Sequence, residues 1–489
     1  METKVLSAAD LTIGLGFIGG EWVPADSRAT IPVHNPADGS VFGEVPDMGA
    51  AETARAIDAA AAALPAWRSL AAGARSAILK RWHALIMQHQ EPLAEILTAE
   101  QGKPLAESRG EIAYGASFVE WFAEEAKRVY GDVIPAPQAG SRIIVQKQPV
   151  GVAGLIIPWN FPSALFHRKC AAALAAGCTV VLKPSEFTPF SALALAELGR
   201  RAGLPAGVLN VVTGQPAEIG RVLMDSPVVR KISFTGSTRV GKLLIEQSAK
   251  TVKKISLELG GNAPLIVFDD ADIATAVQAC MKSKFRNAGQ TCVCANRIYV
   301  QDGIYERFAA ALTEEVSRLR VGAGTEEGVT IGPLINMAAV EKVERHIADA
   351  KAKGGEVSLG GKRHARGGSF FEPTIILNAS ETMELAKDET FGPVAPLFRF
   401  KTEEEAIRLA NSTEYGLAAY IFTRDIDRMW RVTDAIETGM VGVNEGLISN
   451  EVAPFGGIKE SGLGREGSYH GIEEYLEMKY VLISPCVAA

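Results

Sequence analysis

The segment FRNAGQTCVCANR, residues 285–297, holds the side chains most suited to chemistry. It separates Cys292 and Cys294 by one residue, in a chain with six cysteines among 489 residues, and Arg286 stands six residues before Cys292. Gly-Gln-Thr precedes Cys292, which favours an exposed loop over a packed helix. Nearby amides or cations would lower the pKa of a loop thiol. Cys292 is therefore a candidate nucleophile, metal ligand, disulfide partner or buried filler.

The remaining cysteines and histidines give little support to a metal site or a disulfide framework. The seven histidines are scattered and form no HxxxH pair, and CxC stands without a second thiol pair, so we predict no metal. The cysteines are irregularly spaced, unlike a secreted disulfide framework. Cys170, Cys178, Cys280 and Cys486 lie in Ala-rich or apolar surroundings and are predicted to be small core residues. Papain-like chemistry is unsupported because no Cys–His pairing is evident.

Two segments place polar or small residues where a nucleotide would bind. VVLKPSEFTP puts Lys183 and Glu186 beyond a predicted strand, where they would contact ribose hydroxyls or form a solvated loop pair. ISFTGSTRVGK ends a strand at Gly236 and Ser237, and a helix follows. Such a turn suits a phosphate, because amides and the helix dipole favour negative charge, but it is equally compatible with a plain helix cap.

Two further strand ends carry candidate catalytic groups. IIPWNFP holds Asn160 between prolines, where its amide would face a developing oxyanion or serve the local structure. SLELGGNAP places Glu258 before a Gly-Gly pair. Near a cysteine this carboxylate would act as a general base, and otherwise it is an exposed strand-end residue.

The elements that position these residues alternate between strands and helices. After amphipathic helices within 50–130 and a strand at 142–150, apolar strands are predicted at 151–158, 178–184, 208–214 and 231–237, with helices at 168–177, 188–203 and 216–225. Such alternation predicts a parallel sheet covered on both faces, with ligands beyond the carboxyl ends of its strands. After Gly260 a second set follows, with strands at 263–270, 296–302, 370–377, 395–400 and 418–425 and helices at 271–285 and about 303–319. The C-terminal EEYLEMKYVLISP would pair with RIIVQKQP or with another subunit.

Composition narrows the class of protein. The length predicts more than one domain, and 47% hydrophobic with 22% charged residues is typical of globular proteins. A net charge of −7 argues against a nucleic-acid partner. We expect a cytoplasmic protein with no membrane partner, because METKVLSAADLTIG shows no signal-peptide pattern and the apolar run at 170–182 is too short to cross a bilayer.

In this order, the motifs resemble the aldehyde dehydrogenase superfamily over essentially the whole chain. The matching stretches are IGGEWVPA, NPADGSVFGEVP, EQGKPLAES, PWNFP, LKPSE, FTGSTRVG, LELGGNAP, GQTCVCANR, ETFGPVAP and PFGGIKESGLGREG. FRNAGQTCVCANR and GLISNEVAPFGGIKESGLGREGS are most similar to the succinate-semialdehyde dehydrogenase subfamily. The resemblance implies an α/β fold with two Rossmann-like domains and a β-strand oligomerisation arm. It implies an NAD(P)-binding domain at 1–133 and 154–260, a catalytic domain at 261–445, and the arm at 134–153 and 470–489.

The resemblance also implies a reaction and its residues. Cys292 would attack the aldehyde, Asn160 and the backbone amide of Cys292 would form the oxyanion hole, hydride would pass to the nicotinamide, and Glu258 would activate the water that hydrolyses the thioester. The implied cofactor residues are Trp159, Asn160, Lys183, Ser185, Glu186, Gly220, Gly236, Ser237, Thr238, Leu259, Glu389 and Phe391. The implied substrate is succinate semialdehyde, or alternatively glutarate semialdehyde or another ω-carboxylated aldehyde. Family members are usually homodimers or homotetramers.

The implied substrate carries a carboxylate, which Arg286 would bind. Arg168, Arg286 and Ser449 match positions that the subfamily uses to hold the substrate carboxylate, and a planar guanidinium suits a carboxylate. The alternative is that Arg286 caps local backbone. The presence of Glu258 favours hydrolysis over transfer to CoA, and the presence of Cys292 argues against a crystallin-like structural role.

Four features depart from the pattern or add to it. RKCAAALAAG carries Cys170, which we predict to be packing. Glu186 should oppose a 2′-phosphate, so the cofactor is NAD or NADP with a preference for NAD. In VNEG, Glu445 would add negative charge near an anionic substrate. If residues 292–294 are extended, Cys292 and Cys294 point the same way and would form a reversible disulfide; otherwise Cys294 packs beside the site.

Overall fold

A computed structural model describes residues 5–485 of the chain. Its helices are α1 (Ala8–Leu11), α2 (Ala50–Ser69), α3 (Ala72–Gln88), α4 (Gln90–Gln101), α5 (Leu105–Glu125), α6 (Pro162–Ala176), α7 (Pro189–Ala202), α8 (Pro216–Asp225), α9 (Thr238–Ser248), α10 (Ile273–Lys284), α11 (Tyr305–Ser317), α12 (Met337–Ala352), α13 (Glu384–Lys387), α14 (Glu403–Asn411), α15 (Ile426–Ala435) and α16 (Ser468–Glu473), with short 3₁₀ helices at Ala126–Arg128 and Arg286–Gly289.

The strands are β1 (Gly16–Ile18), β2 (Glu21–Val23), β3 (Thr30–His34), β4 (Val41–Pro46), β5 (Asp132–Pro135), β6 (Arg142–Pro149), β7 (Val152–Ile156), β8 (Thr179–Lys183), β9 (Leu209–Val211), β10 (Val229–Thr235), β11 (Lys254–Glu258), β12 (Ala263–Val267), β13 (Ala295–Gln301), β14 (Glu356–Leu359), β15 (Thr374–Ala379), β16 (Val394–Phe400), β17 (Tyr415–Gly416), β18 (Ala418–Phe422), β19 (Met440–Val443), β20 (Ile458–Lys459), β21 (Gly462–Leu463) and β22 (Leu476–Ile483).

The first sheet has the strand order β2-β1-β9-β8-β7-β10-β11-β21, and its strands from β9 to β11 are parallel. Strand β8 shows why it is covered on both faces. Val180 and Leu182 pack into the core that contains α6 and α7, whereas Val181 packs into the core that contains α2 and α8. Because successive strand residues point to opposite faces, an uninterrupted apolar strand requires two apolar layers. The predicted doubly covered parallel sheet is confirmed.

The second sheet has the strand order β14-β15-β16-β13-β12-β18-β19 and is parallel from β15 to β19. Residues 259–262 alone connect the end of β11 to the start of β12. This short connection brings the carboxyl edge of the first parallel sheet close to the amino edge of the second. Residues that follow strands of the first sheet therefore lie near residues that precede strands of the second.

A third sheet joins two distant parts of the chain. Strand β22 pairs antiparallel with β6 from Leu476 opposite Pro149 to Ile483 opposite Arg142, and β6 also pairs with β5. Of the two predicted alternatives for the C-terminal segment, pairing with RIIVQKQP is confirmed. Residues 486–489 of the predicted arm, and with them Cys486, lie outside the described residues.

Some element bounds differ from the sequence predictions. The helix predicted from residue 168 begins at Pro162, because proline suits the first helical position. The helical stretch at 74–102 consists of α3 and α4, separated at His89. All of α6 is buried, Cys170 included, which confirms that Cys170 is a packing residue. Among residues 5–485, no helix is both long and apolar enough to cross a membrane.

His167 of α6 makes stability depend on pH. It is fully buried against the rings of Trp82 and Phe166, and burial lowers the pKa of its imidazole from 6.5 to about 3. Between these values the unfolded chain binds a proton that the folded chain does not, so stability falls as the pH drops below about 6.5, by up to about 1.4 kcal/mol per pH unit. We expect His167→Leu to lose less stability than the wild type between pH 7 and pH 5, measured as the drop in Tm. Equal drops in the two proteins would contradict this origin of acid sensitivity.

Candidate active site

A cavity of about 300 Å³ lies where the two parallel sheets meet. The carboxyl ends of β7 and β10 supply one wall, and the segments that precede β13 and β16 supply the other. Eleven of the predicted site residues line it: Trp159, Asn160, Arg168, Gly236, Ser237, Leu259, Arg286, Cys292, Glu389, Phe391 and Ser449.

The other predicted residues lie around this cavity without lining it. Glu258 is the buried last residue of β11. Lys183 ends β8, and its Nζ donates to Glu186 Oε2 at 2.9 Å, with Ser185 buried between them. Burial lowers the pKa of Lys183, and the neighbouring Glu186 carboxylate acts against this shift.

Two further predicted cofactor residues, Gly220 and Thr238, lie on α8 and α9, the helices that follow β9 and β10. Thr238 is the first residue of α9, and its hydroxyl accepts from Gly260 N–H at 3.3 Å. Gly220 lies within α8, and a Cβ built there would meet nothing within 4 Å. Neither residue contributes to the cavity wall in the described chain.

Cys292 stands at the end of an unusually bent segment. Asn287, Ala288 and Gly289 all have left-handed backbone, with φ of 51°, 53° and 76°. A Cβ on Gly289 would lie 2.2 Å from Gly392 O, so only glycine fits this close approach. The bend delivers Cys292 to the cavity wall, where it is half-buried and not fully exposed as a loop pattern suggests.

The two neighbouring cysteines differ in environment. Cys294 N–H donates to Thr291 O at 3.1 Å, so residues 291–294 form a turn, and the local extension that the disulfide alternative requires is not met. Cys294 is fully buried, and its sulfur accepts from Lys284 Nζ at 3.3 Å. The geometric premise of a Cys292–Cys294 switch is therefore absent. Burial raises the pKa of the Cys292 thiol to about 12, partly offset by Arg168.

Asn160 is anchored from several directions. Its side-chain Nδ2 donates to Gln290 O at 3.2 Å, and its Oδ1 has no hydrogen-bond partner within residues 5–485. Its carbonyl accepts from Lys103 Nζ at 2.7 Å and from Asn287 Nδ2 at 3.0 Å. These bonds tie the turn after β7 to the segment that carries Cys292, and they leave one N–H of the Asn160 amide for another acceptor.

A buried cluster of charges lies behind Arg168. Arg168 Nε is 2.7 Å from Glu466 Oε2, and Lys169 Nζ pairs with the other oxygen of Glu466. Although burial acts in the opposite direction, Lys169 and Arg168 hold the pKa of Glu466 below its usual value. Burial, followed by the Glu466 charge, raises the pKa of Glu258 well above its usual 4.5. Arg168 is thus engaged with a carboxylate of the protein itself.

Arg286 has a different environment from Arg168. It is half-buried, lines the cavity, and lies with its guanidinium carbon 5.2 Å from the centre of the Phe161 ring. No carboxylate of residues 5–485 forms an ion pair with it within 4.0 Å, and its buried Nε lacks a hydrogen-bond partner there. The guanidinium therefore presents donors without a partner in the described chain, and its charge has no ion pair there, although the Glu107 carboxyl is close enough to interact with it electrostatically. Ser449 lines the same cavity.

Glu389 and Phe391 form another part of the wall. Burial raises the pKa of Glu389 to about 8, and its Oε1 accepts from Gly261 N–H at 3.4 Å. The Phe391 ring meets the Trp159 ring edge to face at 5.6 Å. Together these side chains present an aromatic surface with a carboxyl group beside it.

Glu445 does not approach the cavity, contrary to the sequence-based expectation. It is exposed, and its Oε1 accepts from the N–H groups of Gly446 and Leu447 at 2.7 and 2.9 Å. Its carboxylate lines a separate surface pocket with Asn444 and Lys282. Its charge is satisfied locally, so it no longer bears on the choice of substrate.

The structure adds four residues that the sequence analysis does not single out. Tyr114, Lys342 and Phe455 also line the cavity, and Glu466 controls the charge behind it. Tyr114 lies within a helix whose apolar spacing suggests only packing. Glu466 lies within the quoted GLGREG motif, where its single carboxylate was the available signal.

Three comparisons with known proteins are informative. The model of the aldehyde dehydrogenase family matches residues 22–481. The succinate-semialdehyde dehydrogenase (NADP(+)) of Escherichia coli is 62% identical over 467 residues, 96% of this chain and 97% of the relative. The glutarate-semialdehyde dehydrogenase of Pseudomonas putida is 61% identical over 479 residues, 98% and 99% of the two chains. The crystal structure of succinate-semialdehyde dehydrogenase from Burkholderia pseudomallei superposes with a TM-score of 0.97 at 60% identity, covering 99% and 100% of the two chains.

The thiol environments predict selective labelling of Cys292. Of the five cysteines within residues 5–485, only Cys292 is partly exposed, so brief iodoacetamide treatment of the native protein should label it before the others. Because burial raises its pKa to about 12, the labelling rate should keep rising between pH 7 and pH 9. Peptide mass spectrometry measures both the order in which the cysteines are labelled and the labelling rate at each pH, with Cys292→Ser as the control. A rate that levels off below pH 8 would show that the free protein holds Cys292 as a thiolate.

Proposed function

Because the chain belongs to the aldehyde dehydrogenase family, we propose that it oxidises succinate semialdehyde to succinate with NAD(P), through a thioester on Cys292. The observation that supports this choice of substrate is Arg286, a guanidinium with no ion-pair partner within residues 5–485, which lines the same cavity as the Cys292 thiol. A substrate with an aldehyde at one end and a carboxylate at the other satisfies both groups.

Arg286 holds the distal carboxylate, with Ser449 as a hydroxyl donor beside it. A guanidinium donates two parallel hydrogen bonds to a carboxylate, which fixes orientation as well as charge. Arg168 adds positive potential, although Glu466 neutralises much of its charge. Glutarate semialdehyde is the second candidate, because it differs by one methylene group and is the substrate in the name of the Pseudomonas putida relative.

Cys292 acts as the nucleophile. The proton of its thiol passes to the Glu258 carboxylate and from there to solvent, and the sulfur adds to the aldehyde carbon. The electron pair of the C=O double bond moves to the carbonyl oxygen, which becomes an oxyanion. The Asn160 amide and the backbone N–H of Cys292 stabilise that oxyanion. The bond from Asn160 Nδ2 to Gln290 O and the bonds to its carbonyl restrict Asn160 before the substrate arrives. A donor held in place needs no reorganisation when the charge develops.

Glu258 acts as the base that activates water for hydrolysis of the thioester. Burial and Glu466 raise its pKa, which makes it a stronger base than an exposed carboxylate. Its buried Oε2 has no hydrogen-bond partner among the described residues and is available to take a proton. The products are succinate and the regenerated Cys292 thiol.

The residues around the first sheet fit a dinucleotide cofactor. Thr235 Oγ1 is buried beside the cavity without a partner in the described chain, and Ser237 is exposed at the start of α9. Lys183 and Glu186 suit ribose hydroxyls. The further residues proposed to hold the cofactor are Trp159, Ser185, Gly220, Gly236, Thr238, Leu259, Glu389 and Phe391. When bound, NAD(P) supplies the acceptor for the hydride of the aldehyde.

We propose that residues 1–133 and 154–260 form the cofactor-binding domain and 261–445 the catalytic domain. The third sheet serves as an oligomerisation arm in a homodimer or homotetramer, because Met478, Tyr480 and Leu482 of β22 are exposed. Residues 134–153 and 470–489 would form this arm. The cytoplasm is the proposed compartment.

Truncation of Arg286 tests the substrate. Arg286→Ala should lower kcat/KM for succinate semialdehyde about 10- to 150-fold, since losing a charge-assisted hydrogen bond costs roughly 1.5–3 kcal/mol. Activity on butanal should change little, and Arg286→Lys should retain part of the selectivity, because its charge remains without the planar donor pair. Initial rates of each variant with succinate semialdehyde and with butanal test whether Arg286 binds the substrate carboxylate. Equal losses on the two aldehydes would show that Arg286 supports the fold of the segment before Cys292.

Replacement of Glu186 tests the preference for NAD. A carboxylate accepts from a ribose 2′-hydroxyl but repels a 2′-phosphate, so Glu186→Ser should raise the NADP-to-NAD ratio of kcat/KM about tenfold or more. The exposed Glu327 provides a matched control, since Glu327→Ser removes the same charge away from the cavity wall. The Escherichia coli relative is named for NADP(+), so the wild-type ratio is the first measurement. A clear wild-type preference for NADP would refute the role given to Glu186.

A further inference from the structure

Tyr114 is a cavity residue with an unused hydroxyl. It lies on α5, and its ring is held edge to face against Phe118 at 5.1 Å. Its phenol oxygen is buried and has no partner within residues 5–485 at both hydrogen-bond distance and angle, although the side chains of Ser449 and Arg168 lie close enough to interact with it. A buried polar group without a partner costs roughly 1–3 kcal/mol, so a ligand that accepts this O–H recovers that cost.

The groups that face the Tyr114 hydroxyl define the ligand. Arg168, Arg286 and Ser449 line the same cavity as Tyr114. Burial raises the pKa of the phenol, and these three side chains act against that shift. Because its pKa is raised above 10, the phenol stays protonated at neutral pH and donates a hydrogen bond. Guanidinium nitrogens have no acceptor capacity, so this end of the cavity offers mainly donors.

Not every cationic side chain near Tyr114 is free to pair with a ligand. Arg168 and Lys169 share the carboxylate of Glu466, whereas Arg286 has no such partner in residues 5–485. A cavity with one cation that has no ion pair, together with neutral hydroxyl donors, suits a group with one negative charge and several lone pairs. A carboxylate has about four lone-pair sites, more than a single guanidinium occupies.

Apolar side chains also line the cavity that contains these hydrogen-bond donors. Phe161, Leu165 and Phe455 line the same cavity and are apolar. They suit the methylene groups of a short chain between an aldehyde and its distal carboxylate. A neutral aldehyde of the same length would leave the phenol hydroxyl unpaired.

We propose that Tyr114 is a specificity-determining residue whose phenol donates a hydrogen bond to the distal carboxylate of the substrate, beside Arg286 and Ser449. The inference rests on the proposed function, because it requires a substrate with an ω-carboxylate. Its contribution is a hydrogen bond from a neutral group, in addition to the ionic contact from Arg286.

The test is Tyr114→Phe, which removes the O–H and keeps the ring against Phe118. We expect kcat/KM for succinate semialdehyde to fall about tenfold, mainly through KM, and kcat/KM for butanal to change less than about twofold. Tyr469→Phe is the matched control, because Tyr469 is exposed and lies outside the cavity wall. The product succinate should protect Cys292 from iodoacetamide, with a half-protecting concentration about tenfold higher in Tyr114→Phe.

The outcomes separate this inference from the proposed function. A wild type that does not prefer succinate semialdehyde to butanal overturns the proposed function. A selective wild type with an unchanged Tyr114→Phe shows that the phenol does not bind the carboxylate. Equal losses on both aldehydes, with unchanged succinate protection, would show that Tyr114 only supports the cavity wall and would also overturn the inference.

Discussion

The buried ion pair between Lys103 and Glu111 is the interaction on which the geometry of the site depends. Both side chains are almost completely inaccessible, with their charged atoms 2.5 Å apart. Such a pair repays the cost of leaving water only when its other hydrogen-bonding groups are also satisfied. Here Lys103 donates to Asn160 O, and Glu111 accepts from the N–H groups of Ser163 and Ala164 at the start of α6. One pair thus fixes the turn after β7 and the start of the next helix.

The same network explains how a strained segment is held next to the nucleophile. Two non-glycine residues with left-handed backbone, Asn287 and Ala288, cost on the order of 1–3 kcal/mol each. Asn287 recovers this through its side chain, which donates to Asn160 O and Gln290 O and accepts from Gln101. Its backbone N–H also donates to Glu107 at 2.8 Å. The position of the thiol therefore depends on contacts with helices far away in the sequence.

How much the sequence predicts depends on how local each cause is. Strand ends and helix starts follow from apolar spacing and proline placement, and α8 begins and ends where the pattern indicates, at Pro216 and Asp225. The motif residues that follow strands come together because parallel strands share an edge. The CxC spacing does not show whether residues 292–294 form a strand or a turn. The sequence therefore leaves open whether the thiol of Cys294 points the same way as that of Cys292. Whether Glu445 or Tyr114 faces the cavity depends on the direction of its side chain, and the spacing of residues along the sequence does not determine that direction.

The charges of the site form a connected system. Glu466 occupies Arg168 and Lys169, and its remaining field is one cause of the raised pKa of Glu258. The Cys292 thiol, with a pKa of about 12, is likewise neutral in the free protein at neutral pH. Arg286 is then the arginine of the cavity that has no ion pair within residues 5–485. An anionic substrate neutralises it, and a neutral aldehyde does not. Arg286 and the Tyr114 hydroxyl are both left without a partner of good geometry in residues 5–485, so selectivity for a carboxylate arises from groups that the protein does not itself pair.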